Sequence, residues 1–243
     1  MRDYAMEFER RVAYIRELVE SARVRGIVFG NSGGKDCALV GILCKAACPD
    51  TVGVLLPCAS RQNYGSDTDD AERLAAQFGI ESRRVDLTET RSALLGALRE
   101  ATEMTDASTA NIAPRLRMTA LYAVAGSENR LVAGTGNASE RYMGYFTKWG
   151  DGAFDFDPIA DLTVTEVYEF LDWLNAPESI RRKAPSAGLF EGQTDEQEMG
   201  VSYAAIDAHL RGEAVSPEEL AVIERYHARA GHKLRLPPMY GLE

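Results

Sequence analysis

No stretch of the chain approaches the roughly 18 consecutive apolar residues of a membrane-spanning helix. The opening residues, Met1-Arg2-Asp3-Tyr4, lack the charged start, apolar centre and cleavage site of a secretory signal. A cytoplasmic location without a membrane partner is the expectation. Histidine is scarce, with only His209, His227 and His232 among 243 residues. There is no C-x-x-C pair, no G-x-S-x-G elbow and no evident Cys-His pair, which argues against chemistry through a protein nucleophile. Basic charge is also in deficit: 27 Lys and Arg face 37 Asp and Glu, a formal charge of −10. An acidic protein repels a phosphate backbone, so nucleic acid is not an expected partner. A nucleotide is not excluded, because local backbone N–H groups and metal ions outweigh a diffuse field. Internal repeats and low-complexity segments are absent as well.

Four cysteines are present, at 37, 44, 48 and 58. Cys37, Cys44 and Cys48 share one helical face, which reads as a packing stripe of small residues rather than a metal site. Disulfides are not expected in a cytosolic chain.

What is present fits one sizeable domain over residues 1–243, with 45% apolar and 26% charged residues. Phe8, Val12, Ile15 and Val19 recur at helical spacing, predicting a helix over 3–25 that Gly26 stops. Ile27-Val28-Phe29 and Val52 to Leu56 read as buried strands, with a helix through Ala38, Leu39, Ile42 and Leu43 between them. Asp69 to Phe78 is predicted helical, Ser82 to Val85 a strand, Ser92 to Glu103 and Arg117 to Ala125 helices, and Leu131 to Ala133 a strand. This alternation predicts an α/β fold: a doubly wound, mostly parallel sheet with helices on both faces. Residues 144–158 and 184–198 read as loops. Thr163 to Asn175, Ser202 to Arg211 and Pro217 to Ala230 read as helices.

The string Gly30-Asn31-Ser32-Gly33-Gly34-Lys35-Asp36-Cys37 follows a strand and opens a helix. Glycines let the backbone approach an anion, and the first helical N–H groups point at it. It is not a Walker A loop, because only three residues separate Gly30 from the Gly34-Lys35 pair and an acid follows Lys35. An acid beside phosphates implies an intervening cation, so Asp36 reads as a Mg²⁺ ligand.

The S-G-G-x-D context resembles the loop of the ATP pyrophosphatases, which adenylate their substrates. Further stretches are similar to ammonia-dependent NAD synthetase. They are Arg115-Leu116-Arg117-Met118, Gly134-Thr135-Gly136-Asn137-Ala138-Ser139-Glu140, the run from Gly144 to Gly152 (G-Y-F-T-K-W-G-D-G), and Gly192-Gln193-Thr194-Asp195-Glu196. The resemblance spans most of the chain and implies an adenine nucleotide alpha hydrolase-like fold. It also implies a ligase reaction. The carboxylate of deamido-NAD attacks the α-phosphate of ATP, pyrophosphate leaves, and ammonia converts the acyl-adenylate to NAD and AMP.

The same resemblance assigns roles. Asp36 and Glu140 would hold Mg²⁺ as the catalytic pair. Gly30 to Cys37, with Thr135 and Ser186, would bind ATP, and Ser32, Gly33 and Gly34 would cradle pyrophosphate. Arg115, Lys148, Asp155, His232 and Lys233 would contact deamido-NAD. Departures from the family pattern are Cys37 for Ser, Ser186 for Thr, Gly188 for Asp and Val164 for a phosphate-contacting Lys. Lys35 or Arg61 is the candidate to supply the cation missing at Val164. Glutamine-dependent relatives carry an extra amidase domain for which this chain has no room, so free ammonia is the expected donor unless a separate subunit delivers it. A homodimer is implied, with the dinucleotide site near the subunit interface. The competing readings are another adenylating ATP pyrophosphatase, of the GMP synthetase or tRNA-thiolating kind, and a non-catalytic nucleotide-binding relative.

Overall fold

Four parallel strands form the sheet: the buried apolar runs β1 (Gly26–Gly30) and β2 (Thr51–Leu55), the polar and mostly exposed edge strand β3 (Glu81–Arg84), and β4 (Arg130–Val132), in the order β3-β2-β1-β4. The computed structural model describes residues 2–58, 66–183 and 194–241. Val28 pairs with Val52 on one side and with Val132 on the other. A further parallel bridge, Ala133 with Phe156, continues the β4 edge.

Alternate residues of β1 face opposite layers, as a period of two requires. Ile27 and Phe29 pack with α1 (Tyr4–Ala22), α2 (Lys35–Ala47) and α8 (Val164–Trp173) through Ile15, Leu39, Leu43, Phe170 and Leu171. Val28 packs with Val52, Val54 and α6 (Ile112–Glu128) on the other face. Each large apolar side chain fully buried here contributes about 1.5–3 kcal/mol. The expected doubly wound arrangement is therefore present.

A third cluster lies apart from the sheet. It joins Met143 of α7 (Ala138–Met143), Val164 of α8, Met199 of α10 (Asp195–Met199), Ile206 of α11 (Tyr203–Leu210) and Ile223 of α12 (Pro217–Leu234). Helix α12 starts where Ser216 and Glu219 form a reciprocal capping box and Pro217 occupies the first turn. The remaining helices are α3 (Ser66–Phe78), α4 (Thr88–Ala101), α5 (Asp106–Ala110) and α9 (Glu178–Arg181).

Two local expectations change. Helix α1 ends at Ala22, with Arg23 in the left-handed region at φ 53°. Gly26 instead opens β1, where a Cβ would collide with the Asp50 carbonyl oxygen. The end of the expected loop 184–198 is helical from Asp195, where α10 begins, because the Thr194 hydroxyl accepts from the Gln197 N–H and starts a turn. Residues 144–158 hold no helix or strand, as expected.

Candidate active site

The loop after β1 lies at the carboxyl end of the sheet, where open α/β folds place ligands. Gly33 sits at φ +75°, and a Cβ there would run into the Asp67 carbonyl oxygen. Asn31, nearly fully buried, anchors the loop by donating from Nδ2 to the Ala71 carbonyl (3.2 Å) and from its backbone N–H to Val54 (2.9 Å). Gly34 is the N-cap of α2 and supplies no side-chain cap. The first N–H groups of α2 therefore lack a side-chain acceptor and suit an anion. Cys37 is buried with its Sγ 3.1 Å from Ser32 Oγ. Burial pushes its thiol pKa up, which disfavours the thiolate that a nucleophile needs.

Asp36 and Glu140 come from different helices, and Asn137 joins them. Asn137 is fully buried; its Oδ1 accepts the Glu140 N–H (2.9 Å), and its Nδ2 donates to Asp36 Oδ1 (3.1 Å). The first contact is the N-cap of α7. Behind it, Ser139 Oγ donates to Asp207 Oδ1 at 2.5 Å and accepts the Val164 N–H at 3.1 Å. Asp207 Oδ2 takes the backbone N–H and hydroxyl of Thr165. This buried network ties α7, α8 and α11 together and fixes the helix that presents Glu140.

Lys35 lies against the pair, with Nζ 2.6 Å from Asp36 Oδ2 and 3.6 Å from Glu140 Oε1. The rings of Tyr168 and Tyr203 flank the ammonium at 6.0 and 5.8 Å. Burial opposes its charge, but Asp36 and Glu140 outweigh that and hold the Lys35 pKa above its ordinary value. Burial and then the Asp36 charge push Glu140 up, against the pull of Lys35. Asp195 adds negative charge nearby and accepts from the Tyr145 and Tyr203 hydroxyls.

These groups open on a cleft of about 680 Å³, within the ordinary range for small-molecule sites. Its walls include Gly30 to Asp36 of the loop (Gly33 excepted), Cys37, Thr135, Glu140, Asp151, Asp157 and Lys233. Lys233 reaches inward, donating to the carbonyls of Gly144 and Phe146 at 2.7 Å each. Arg115, Lys148 and His232 are linked beside it: Arg115 donates to the Lys148 carbonyl (3.3 Å), and Lys148 Nζ to the His232 carbonyl (2.6 Å). Asp155 is placed differently, at the end of β4, where it accepts from the Val132 N–H and the Tyr122 hydroxyl. Val164 is buried and offers no cation. Ser186, Gly188 and Arg61 lie outside the described residues.

Sequence reasoning gave no role to Asn137, Ser139, Asp157 or Asp207. The first two stand inside the G-T-G-N-A-S-E string, and a polar residue just before a short helix is a cap signal. Asp157 accepts the N–H groups of Gly136 and Ile159 and lines the cleft. Asp207 sits in a helix whose apolar spacing gives no hint of its partners.

A parallel sheet with a glycine-rich loop and a helix N-terminus open to an anion, beside paired carboxylates, defines a nucleotide-binding α/β protein. A protein-family model described as NAD synthase matches residues 7–237, and the chain belongs to that family. It is 45% identical over 232 residues to the NH(3)-dependent NAD(+) synthetase of Carboxydothermus hydrogenoformans, covering 94% of each chain. Its structure is similar to that of the NMN synthetase from Francisella tularensis, with a TM-score of 0.94, 37% identity and full coverage of both chains. It is also similar to the NH3-dependent NAD synthetase from Campylobacter jejuni, with a TM-score of 0.80, 30% identity and full coverage of both.

Proposed function

We propose that this chain is a ligase that amidates the nicotinate carboxylate of deamido-NAD with ammonia, converting ATP to AMP and pyrophosphate. The observation that carries this reading is the loop from Gly30 to Cys37, lying at the carboxyl end of the sheet beside the Asn137-linked carboxylates Asp36 and Glu140, in a member of the NAD synthase family. Family membership disfavours the GMP synthetase and tRNA-thiolating alternatives.

In this proposal the N–H groups of Gly33, Gly34 and the first turn of α2, with the Ser32 hydroxyl, hold the β- and γ-phosphates. They stabilise the charge that develops as pyrophosphate leaves. Thr135, at the cleft wall, and Ser186 complete the ATP site. Lys233 meets the pyridine nucleotide, with Arg115, Lys148 and His232 contributing at its outer part and Asp155 from the end of β4. The chemistry is alignment and charge neutralisation, with no covalent enzyme intermediate.

Asp36 and Glu140 would hold Mg²⁺. Two carboxylates fit this ion, which commonly takes one or two acidic ligands and fills its shell with water and substrate phosphates. No group of three or more metal-ligating side chains occurs among the described residues, so the fit is to a nucleotide-borne ion rather than a protein cage. When bound, the ion would neutralise phosphate charge.

The whole of residues 1–243 acts as one domain in this proposal, with free ammonia as nitrogen donor. A homodimer is part of it, because Arg115 and His232 are exposed in the single chain and a second copy would enclose the outer part of the dinucleotide. A cytoplasmic location belongs to it as well, since ATP and pyridine nucleotides are intracellular. Among the described residues no helix is long and apolar enough to cross a membrane.

The likeness to an NMN synthetase over the full chain favours a second reading, in which the amidated substrate is the mononucleotide. Purified protein with ATP, Mg²⁺ and ammonium, offered either deamidated substrate, tests both. AMP with NAD supports the first, AMP with the mononucleotide amide the second. ADP as sole product, or no turnover of either, refutes the ligase. Light scattering that shows only monomers with substrates bound removes the dimer.

A further inference from the structure

Lys35, the first residue of α2, is buried beside the site carboxylates. Its side chain is only 6% exposed. It does not reach toward open solvent in the cleft, but lies between a carboxylate of α2 and a carboxylate of α7, with two tyrosine rings flanking it. A Mg²⁺ ion bridging Asp36 and Glu140 would take oxygens at about 2.0–2.1 Å. The ammonium contacts one oxygen of each of these carboxylates, at 2.6 and 3.6 Å. Two cations sharing those oxygens would repel strongly at low dielectric. The ammonium and a metal ion would therefore compete for those two oxygens.

We propose that Lys35 is a resident counter-ion of the Asp36–Glu140 pair, displaced when the divalent cation arrives with its nucleotide. This rests on the reading of Asp36 and Glu140 as the Mg²⁺ carboxylates. Before ATP binds, the ammonium holds the two acids together and shuts out free metal. When ATP enters, the triphosphate supplies an alternative anionic partner for Lys35, one step along the loop from Gly34. The ammonium turns toward the phosphates, and the vacated oxygens receive the metal that the triphosphate carries. Metal and nucleotide then bind as one event. The long, flexible lysine stem permits this turn without moving the backbone.

Manganese binding without turnover tests the idea, read by the electron paramagnetic resonance signal of free Mn²⁺. The full chain is compared with Lys35→Met and Lys35→Arg, with and without α,β-methylene-ATP. Removing a like charge in contact with the ligands should tighten nucleotide-free Mn²⁺ binding about tenfold or more in Lys35→Met. Lys35→Arg keeps the charge and should stay near the unmodified protein. With the analogue present the Lys35→Met advantage should shrink. Mg²⁺ alone should raise the melting temperature of Lys35→Met and leave the unmodified protein nearly unchanged. Lys35→Gln replaces the methionine variant if that one fails to fold. Equal nucleotide-free Mn²⁺ affinity in the unmodified protein and the neutral variant overturns the counter-ion role while leaving the metal site standing. Absence of Mn²⁺ binding in every protein, with and without the analogue, instead overturns the metal reading beneath it.

Discussion

Replacing Asn137 by alanine removes two hydrogen bonds at once: the cap on the Glu140 N–H and the bond from Nδ2 to Asp36. Loss of an N-cap costs about 1 kcal/mol, and a buried hydrogen bond to a charged group about 1.5–3 kcal/mol. A total of about 2.5–4 kcal/mol follows, a fall in melting temperature of roughly 5–16 °C for a domain of this size. The functional effect is separate. Partners that orient metal-holding side chains typically matter 10–100-fold, so half-saturation by Mg²⁺ should rise by about that factor. Asn137→Ser separates the two effects, because a serine caps a helix well but is too short to reach Asp36. It should recover about 1 kcal/mol of stability and little of the Mg²⁺ response. Calorimetry and initial rates across a Mg²⁺ series measure both. An alanine variant that melts and responds to Mg²⁺ like the parent refutes the coupling of the two carboxylates through this amide.

Gly33→Ala forces a side chain into a left-handed turn and against the Asp67 carbonyl; the conformation alone costs about 1–2 kcal/mol. ATP affinity should fall at least about tenfold, and unchanged affinity in a nucleotide titration contradicts the loop geometry. Asp157 is pushed up to about 6, by burial first, against the pull of two backbone N–H groups. A folded value above the unfolded one means that its contribution is fully present below about pH 3.8 and is lost as pH rises through about 6. Asp157→Asn should therefore gain up to about 3 kcal/mol relative to the parent between pH 4 and 7 in urea unfolding; a constant difference across that range refutes it. All four cysteines are free and buried. A thiol reagent should label almost none in the native protein and all of them after denaturation, and rapid native labelling of Cys37 contradicts its burial.

The two central strands were readable because parallel strands buried on both faces are short continuous apolar runs, and Ile27-Val28-Phe29 is one; the edge strand β3 is polar and mostly exposed. The strand-loop-helix around Gly30 to Cys37 was readable for a related reason: its glycines, its acid and its flanking elements are contiguous. Helices α5, α7, α9 and α10 are four to six residues long, too short to show an apolar period. The geometry at Asp36 was only half legible. Its pairing with Glu140 came from a motif resemblance, but the amide of Asn137 between them and the ammonium of Lys35 beside them depend on how α2 meets α7. Asp155 illustrates the limit from the other side: its carboxylate is engaged by β4 and Tyr122, contacts that no local pattern encodes.

The central claim is that a substrate carboxylate attacks the α-phosphate of ATP, and oxygen transfer tests it most directly. Deamido-NAD labelled with ¹⁸O in its nicotinate carboxylate, or the mononucleotide if that is the substrate, is turned over with ATP, Mg²⁺ and ammonium. Mass spectrometry of the products should then find one labelled oxygen in AMP and none in pyrophosphate, because the acyl oxygen leaves with the adenylate. Label in orthophosphate alongside ADP would show attack at the γ-phosphate and contradict the account.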